Sequence, residues 1–481
     1  MPNPLPPPAY VPVSALAIEL EAFVSIRAAG LSGIADSRAA FECSLDLPFE
    51  HAGFMVLAGV EPLLETLERL KPKTDDLAWL KSIGAIDGPT AERLATMRFS
   101  CDVDAVSEGS VVFPGEPVLA VEGPFWQAQL VSGLVQSALS EATLVATKVA
   151  RCVYAAEGGE VIEASAATAH RLGGSPLLAR AAYVGGANAT TATVASRRFG
   201  IPLRAMQPIR TVLANASESA AFEAWLDAAP ELAILRVDAK DALAGSARVI
   251  AAIKKRPKKS SWHALQVAIE IAAGDRAELA TELTRAFVAS GVRAPIIVAS
   301  GELDEWRIAE LRRRQAPLTA FLLGASALQH AVRPARYELV AIEEGGEWAP
   351  RVHVGATLAA SSDPGRKMVL RYFDAEKRPV GDVAHAANER LASAKDVRLV
   401  DRSTGFVTRL PGAVQSAPLL SKMMRAGKRV SAAETTNETR ERAKAAVSSL
   451  PERYLRLTSP AHYPAGTTAT IAALKMQLIG S

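Results

Sequence analysis

The residues of this chain whose types could do chemistry are few. Asp238 and Asp241 lie close together in the string LRVDAKDAL, and paired carboxylates suit a hard cation such as magnesium. Ser300 and Gly301 precede a helical pattern from Leu303 to Leu311. Backbone amides at such a helix start can receive an anion, although Ser300 is equally an ordinary N-cap. His170 could contact a ligand, but a lone histidine near a strand end is more often a hydrogen-bonded structural group. The run Lys254, Lys255, Arg256, Pro257, Lys258, Lys259 invites a nucleic-acid or localisation reading. A solvated loop at a helix C-terminus accounts for it better, because cations there favour the helix dipole, and Arg312 to Arg314 end a second helix in the same way. Cys43, Cys101 and Cys152 form no CxxC pair and have no histidine ladder nearby, so a zinc site is not expected and a reducing compartment is.

The elements that must position these residues fall into two patterns. From Ser14 to about Val121 the sequence is mixed, with a helical stretch near Leu16 to Arg27 and a β-rich stretch from Gly109 to Val121 broken by Pro114, Gly115 and Pro117, which reads as an α+β domain. From about Val161, apolar runs near Val161, Ile201, Leu232, Ala264, Pro295 and Thr319 alternate with amphipathic helical segments. One such segment starts at Asn215 with Glu218 three residues on, a capping pattern, and another carries the stripe Leu279, Leu283, Phe287. Strands separated by helices of this length imply right-handed βαβ crossovers and a parallel sheet, for which we expect closure into a barrel. The expected organisation is a proline-rich arm over 1–13, an N-terminal α+β domain over 14–125, a βα barrel over 126–362, and a C-terminal segment over 363–481 that packs back on the first domain. A terminal helix is expected from Thr467 to Ile479, and Trp126 beside Phe125 is read as buried core.

Composition narrows the functional classes. The chain has 481 residues, 49% hydrophobic and 22% charged, the balance of ordinary globular domains. Lys plus Arg number 54 against 51 Asp plus Glu, a net charge of +3, too balanced for a protein whose main task is neutralising nucleic-acid phosphates. The longest uncharged run, Gly123 to Ser140, is interrupted by glutamines and falls short of the roughly 20 apolar residues of a membrane span. No nucleic-acid or membrane partner is expected, and the location expected is cytoplasmic.

Several longer strings carry a resemblance. EGPFWQAQLV (Glu122 to Val131), TLVATKVAR (Thr143 to Arg151), LLARAAYVGGANATT (Leu177 to Thr191), SRRFGIP (Ser196 to Pro202), LRVDAKDAL, VASGELDEWRIAEL (Val298 to Leu311), DPGRKMVLR (Asp363 to Arg371), LPERYLRL and HYPAG run in order over almost the whole length. Together they resemble the nicotinate phosphoribosyltransferase family. The resemblance implies an irregular βα-barrel domain plus an α+β domain built from the N- and C-terminal segments, and an activity in NAD salvage. That activity transfers the phosphoribosyl group of magnesium-bound phosphoribosyl pyrophosphate to nicotinate, driven by ATP through a phosphohistidine. It also implies a site built across a dimer, hence a homodimer or a heteromer with a paralogue. Magnesium and ATP are implied only if the activity is retained.

Such chemistry needs cations or aimed dipoles around phosphate and carboxylate, at the carboxyl ends of the barrel strands. There this chain departs from the family's pattern. The family's paired arginines after the first strand correspond to Ala167 and Thr168, within Ala164 to Thr168, with only Ala169 and His170 continuing the pattern. Its phosphorylated histidine corresponds to Pro208, after Met206 and Gln207, and the arginine of its RLDSGD motif to Glu270, with Asp275 closing that motif. Its glycine-rich phosphate cradle has become Leu322, Leu323, Gly324, Ala325, and its DLYQLT has become Glu19 to Val24 without the tyrosine. The residues that match and remain candidates for substrate or phosphate binding are Thr147, His170, Asp238, Asp275, Ser300, Gly301 and Gly324, with Asp238 and Asp241 as weak metal ligands and no catalytic residue retained. Counting Glu163, Asp238, Asp241, Glu270, Asp275 and Glu302 against Arg210 and Lys240 gives an acidic mouth, which Lys148, Arg151 and Arg180 could approach from helices. The expected function is a family member with a degenerate site, a catalytically impaired pseudoenzyme. The alternatives are an active nicotinate phosphoribosyltransferase and a binder repurposed for a less anionic ligand.

Overall fold

The structure, a computed structural model, describes residues 18–165, 176–237, 241–256, 266–328, 332–391 and 397–480. It divides into two compact units, Val145–His330 on the one hand and Met1–Leu144 with Ala331–Ser481 on the other.

In the first unit seven short strands form one parallel sheet. Their spatial order is Ala189–Thr190, Glu160–Glu163, Ala320–Leu323, Ile296–Ala299, Ala268–Ile271, Ala233–Arg236, Ala205–Met206. The two ends of that order meet. Thr190 bridges Leu203 in parallel, with the Arg204 N–H donating to the Thr190 carbonyl at 3.1 Å and the Thr190 N–H to Pro202 at 2.9 Å. The sheet therefore curls back on itself as an irregular barrel, as the alternation of apolar runs predicts. The strand Ala189–Thr190 is an addition, two residues too short to leave a pattern in the sequence.

Successive strand side chains face opposite ways. Ile162, Ala189, Ile234, Val298, Ala320 and Leu322 fill the interior together with Ala164, Ala268 and Ile296. Alternate positions, Leu235, Val237 and Ile269, pack outward against Phe222, Leu226, Val249, Ile253 and Phe287 of the surrounding helices. Helix starts are held by side-chain caps: Ser217 for Glu218–Ala228, Asp241 for Ala242–Lys255, Asp275 for Arg276–Ala289 and Asp304 for Glu305–Arg313. The cap expected at Asn215 is a correction. Asn215 closes the preceding helix, its Nδ2 donating to the Thr211 carbonyl at 2.7 Å, and extended Ser217 supplies the new start by accepting from the Ala220 N–H. Gly245 brings helix Ala242–Lys255 close to the sheet, since a Cβ there would stand 2.2 Å from the Val237 carbonyl oxygen.

The second unit holds a seven-stranded antiparallel sheet in the order 347–350, 336–344, 38–44, 117–124, 102–106, 420–425, 428–429. Strands from both ends of the chain thus share one sheet, and Leu420–Arg425 pairs directly with Asp102–Val106. This is the α+β domain expected from N- and C-terminal segments. The barrel unit is narrower than 126–362. Trp126, Leu130, Val135 and Leu139 are buried in the α+β core, and Arg336–Glu344 pairs with Arg38–Ser44. A second, six-stranded sheet is formed by 407–409, 398–401, 465–467, 379–386, 367–373 and 415–418, followed by the terminal helix Ala469–Gly480. No helix among the described residues is long and apolar enough to cross a membrane.

Between that helix and the strands, Asp363 accepts from Arg402 Nε at 2.7 Å and Lys475 Nζ at 3.0 Å, while Lys367 pairs with Glu42 at 2.9 Å. Burial alone would push the Asp363 carboxyl up, but Arg402, Lys475 and Lys367 outweigh it and hold it at about 2. Because the folded value lies below the ordinary one, the stabilisation is present above about pH 4 and is lost as pH falls toward 2. Urea unfolding followed across that range should show the parent losing about 2 kcal/mol more than Asp363→Asn, from the size of the shift. Parallel curves for the two proteins would contradict this assignment.

Candidate functional site at the carboxyl ends of the barrel strands

Strand alternation decides which residues face the barrel mouth. Continuing the interior positions by two residues from Ile162, Ile234, Ala268, Val298 and Leu322 leads to Ala164, Arg236, Glu270, Ser300 and Gly324. Three of these form a polar cluster. The Ser300 hydroxyl donates to Glu270 Oε1 at 2.5 Å, and Arg236 Nη1 lies 3.5 Å from the same oxygen. Glu270 is 1% exposed, whereas the Arg236 side chain keeps 26% of its surface in solvent. Arg236 is the residue that sequence reasoning missed. Its signal was the spacing Ile234–Arg236 set beside Ala268–Glu270, two strands with the same inward register.

Glu163 does not belong to this mouth. It lies on the face opposite Ile162 and Ala164, accepts from the Ser165 N–H at 2.6 Å and from its hydroxyl, and receives the Thr190 hydroxyl at 2.5 Å. It locks the end of one strand to the next. Asp241 spends its carboxylate on the Ala244 N–H at 2.9 Å. Asp275 caps its helix through the Ala277 and Glu278 N–H groups and pairs with Arg314 at 2.8 Å, and the Arg314 hydrogen bond is the main cause holding its carboxyl below the usual range. Glu302 is exposed. Of the acids counted for the mouth, the described residues place Glu270 in the inward layer against one base, Arg236, while Asp241 and Asp275 cap the helices that follow their strands.

The remaining candidates separate in the same way. Thr147 is fully buried in helix Ser132–Ala155. Ser300 is not the N-cap of the following helix, which begins after Asp304, and its N–H is already donated to the Ile271 carbonyl at 3.0 Å. Gly301 has φ +74, and a Cβ there would meet the Ala272 carbonyl oxygen at 2.7 Å, so glycine is required by the backbone. Gly324 faces open space. Pro208 stands at the N-cap position of the short helix Ile209–Ala214 with φ −68 and no side-chain cap. Beside it, fully buried Gln207 donates from Nε2 to the Ala221 carbonyl at 3.0 Å, while its Oε1 has no hydrogen-bond partner. Ala167, Thr168, His170, Asp238 and Lys240 lie outside the described residues, as do the last three residues of the basic run. Within that run, Arg256 pairs with Asp227 at 2.6 Å.

The helix-borne cations are also accounted for. Lys148 and Arg151, both essentially without exposed surface, pair with buried Glu305, Arg151 through Nε at 3.0 Å. They lie 4.8 and 5.7 Å from the centre of the Trp306 ring. Arg180 is 4% exposed and stacks over Phe199 at 5.7 Å. Among the described residues no group of three or more His, Cys, Asp or Glu is arranged to hold a metal ion. Asp241 turns Oδ1 to a helix cap, its candidate partner Asp238 lies outside the described residues, and Pro208 carries no group that could take a phosphoryl from ATP. Removing the acid from a buried ion cluster leaves its cations uncompensated. Glu305→Ala should lower unfolding free energy by about 3–5 kcal/mol, measured by chemical denaturation; a loss under about 1 kcal/mol would show the cluster to be solvent-screened.

The architecture defines a βα-barrel protein whose ligand site is expected at the strand ends, in a chain that also holds an α+β unit. Comparison with known proteins makes this specific. The nicotinate phosphoribosyltransferase (NAPRTase) N-terminal domain matches residues 28–140, and the nicotinate phosphoribosyltransferase C-terminal domain residues 366–475. A nicotinate phosphoribosyltransferase of Mycobacterium tuberculosis is 32% identical over 324 residues, 67% of this chain and 68% of that protein. That of Bacillus subtilis is 28% identical over 454 residues, 93% of this chain and 91% of its own. The crystal structure of human nicotinic acid phosphoribosyltransferase superposes with TM-score 0.80 at 22% identity, covering 96% of this chain and 99% of that one. A nicotinate-nucleotide pyrophosphorylase from Pyrococcus furiosus gives TM-score 0.69 at 18% identity over 93% of this chain and 99% of its own. These two structures speak for the fold. The chain belongs to the nicotinate phosphoribosyltransferase family.

Proposed function

We propose that this protein is a nicotinate phosphoribosyltransferase-family member of the NAD salvage setting whose own catalysis is impaired. The observation that carries the reading is Glu270, a buried acid at a strand end where the family resemblance implies an arginine. Phosphoribosyl pyrophosphate is a polyanion, and a carboxylate about 4 Å from a phosphate charge repels it by about 4 kcal/mol at an effective dielectric near 20. Arg236 offsets Glu270 at 3.5 Å, so that among the described residues the inward layer carries no net positive charge. Pro208 supports the same reading, because it has no atom that could accept and pass on a phosphoryl group. Loss of one aimed donor typically lowers a rate about 100- to 1,000-fold, and here a donor and the phosphoryl acceptor are both replaced.

Under this reading the protein acts through assembly, as a homodimer or as a heteromer with an active paralogue. It works in a cytoplasmic, reducing setting, which its three buried free cysteines suit; burial pushes the Cys43 thiol up to about 12. The alternative of a binder for a less anionic ligand rests on an excess of acids, of which the described residues place Glu270 in the inward layer. The test is calorimetry of phosphoribosyl pyrophosphate with magnesium, with and without nicotinate, alongside an assay for nicotinate mononucleotide. No heat is expected at micromolar ligand, and turnover is expected at least about 1,000-fold below an active family member. Micromolar binding with turnover comparable to such an enzyme would overturn the proposal.

A further inference from the structure

A cavity of about 340 Å³ lies within the α+β unit, beside the helix Thr436–Ser448 and the strand Gln415–Pro418, a volume in the range of small-molecule sites. One wall is the turn from Ser107 to Ser110, which is held from several sides. The Ser110 N–H donates to the Ser107 carbonyl at 3.1 Å, the Gly109 N–H to the Leu57 carbonyl at 2.8 Å, and the Leu57 N–H back to the Ser110 carbonyl at 3.0 Å. Arg442 Nη1 donates to the Glu108 carbonyl at 2.7 Å, and the buried Glu108 carboxylate accepts from the Gly59 and Glu61 N–H groups at 2.7 and 2.9 Å. Gly109 sets the turn against the helix, since a Cβ there would stand 2.3 Å from the Thr439 carbonyl oxygen.

Two groups of this turn are left over. The Ser107 and Ser110 hydroxyls reach no partner among the described residues, yet both oxygens remain accessible and both serines line the cavity. Ser421, from the neighbouring strand Leu420–Arg425, lines it as well, and its hydroxyl is likewise uncommitted among the described residues. The two cations of the lining are already matched. Arg371 is held by Asp382 at 2.6 and 2.9 Å and by the Val111 carbonyl at 2.8 Å, and Arg442 by both carboxylate oxygens of Glu434. Among the described residues no carboxylate lines the cavity. An anion therefore finds no uncompensated positive charge there and a cation finds no acid, and either would lose its hydration without return. Phe373, Pro379 and Pro418 add apolar rings to the lining.

We propose that this cavity binds a neutral sugar ring, its hydroxyls exchanging hydrogen bonds with Ser107, Ser110 and Ser421 and its C–H face lying against Phe373 and Pro418. A serine hydroxyl both donates and accepts, so three of them are best matched by a ligand that also carries several hydroxyls. The hydrogen bonds that hold the turn fix two of the three before a ligand arrives, which lowers the ordering cost of binding. The site lies wholly within the α+β unit and does not depend on what the barrel does.

Saturation-transfer NMR and calorimetry of the full-length protein with the methyl pyranosides of glucose, galactose and mannose test this. At least one should bind with a Kd of about 1 mM or tighter, and at least about tenfold more tightly than hydroxymethyl-tetrahydropyran, the same ring without its secondary hydroxyls. Glucuronate and glucosamine, which add a charge of either sign to the ring, should bind at least about tenfold more weakly than that glycoside. Replacing both serines of the turn, Ser107→Ala with Ser110→Ala, should erase the advantage over the tetrahydropyran. Ala446→Phe, at a half-buried position of the helix that lines the cavity, fills the space and leaves every ion pair in place; it should abolish glycoside binding, and it decides the matter should the double variant fail to fold. Silence from all three glycosides, binding unchanged by Ala446→Phe, or no preference over the tetrahydropyran, the acid and the amine would each overturn the proposal.

Discussion

Closure of the parallel sheet is the constraint on which the rest of the barrel unit depends. Once Thr190 pairs back to the segment Pro202–Arg204, every strand must turn alternate side chains to one enclosed interior. Ile234 and Ala268 then share a layer, and the next inward pair, Arg236 and Glu270, is brought together at the mouth. The same parity sends Glu163 to the opposite face, where it ties two strands through Ser165 and Thr190. The functional character of the mouth is thus a consequence of register rather than of which acids lie near it in sequence.

A second theme is the treatment of buried charge. Isolated ions are expensive to bury, so they are paired and hydrogen-bonded. Glu305 serves Lys148 and Arg151 in the barrel unit. In the α+β unit Arg371 is held by Asp382 at 2.6 and 2.9 Å and by the Val111 carbonyl. Burial and the nearby Asp382 push the Glu116 carboxyl well up, while the Phe113 N–H donates to it at 2.8 Å. The cations that a sequence reader would assign to a phosphate site are instead consumed by packing: they sit on inward helix faces, where a carboxylate partner offsets their desolvation.

Much of the fold was legible. Short apolar runs alternating with amphipathic helices implied a parallel barrel, and the stripe ending in Leu283 and Phe287 buries as its period requires. The family resemblance added the α+β unit drawn from both ends of the chain. The limits of the barrel were less legible, because Val135 and Leu139 are as apolar as barrel residues and only their neighbours show which core they join. Asp241 and Asp275 were read as ligands because an aspartate after a strand looks the same whether it faces a substrate or caps the next helix. The free N–H groups of a helix start compete for that carboxylate, and here they win.

The sequence by itself determined the family, the order of strands and helices, and the substitutions Pro208 and Glu270, since residue identity and periodicity are properties of the chain alone. Tertiary structure decided which charges meet. Arg236 finds Glu270 across two paired strands, Lys148 and Arg151 find Glu305, and Arg402 and Lys475 find Asp363. Those outcomes depend on strand register and on distances of a few ångströms between residues far apart in the chain, and Coulomb energies and hydrogen bonds change over that length scale.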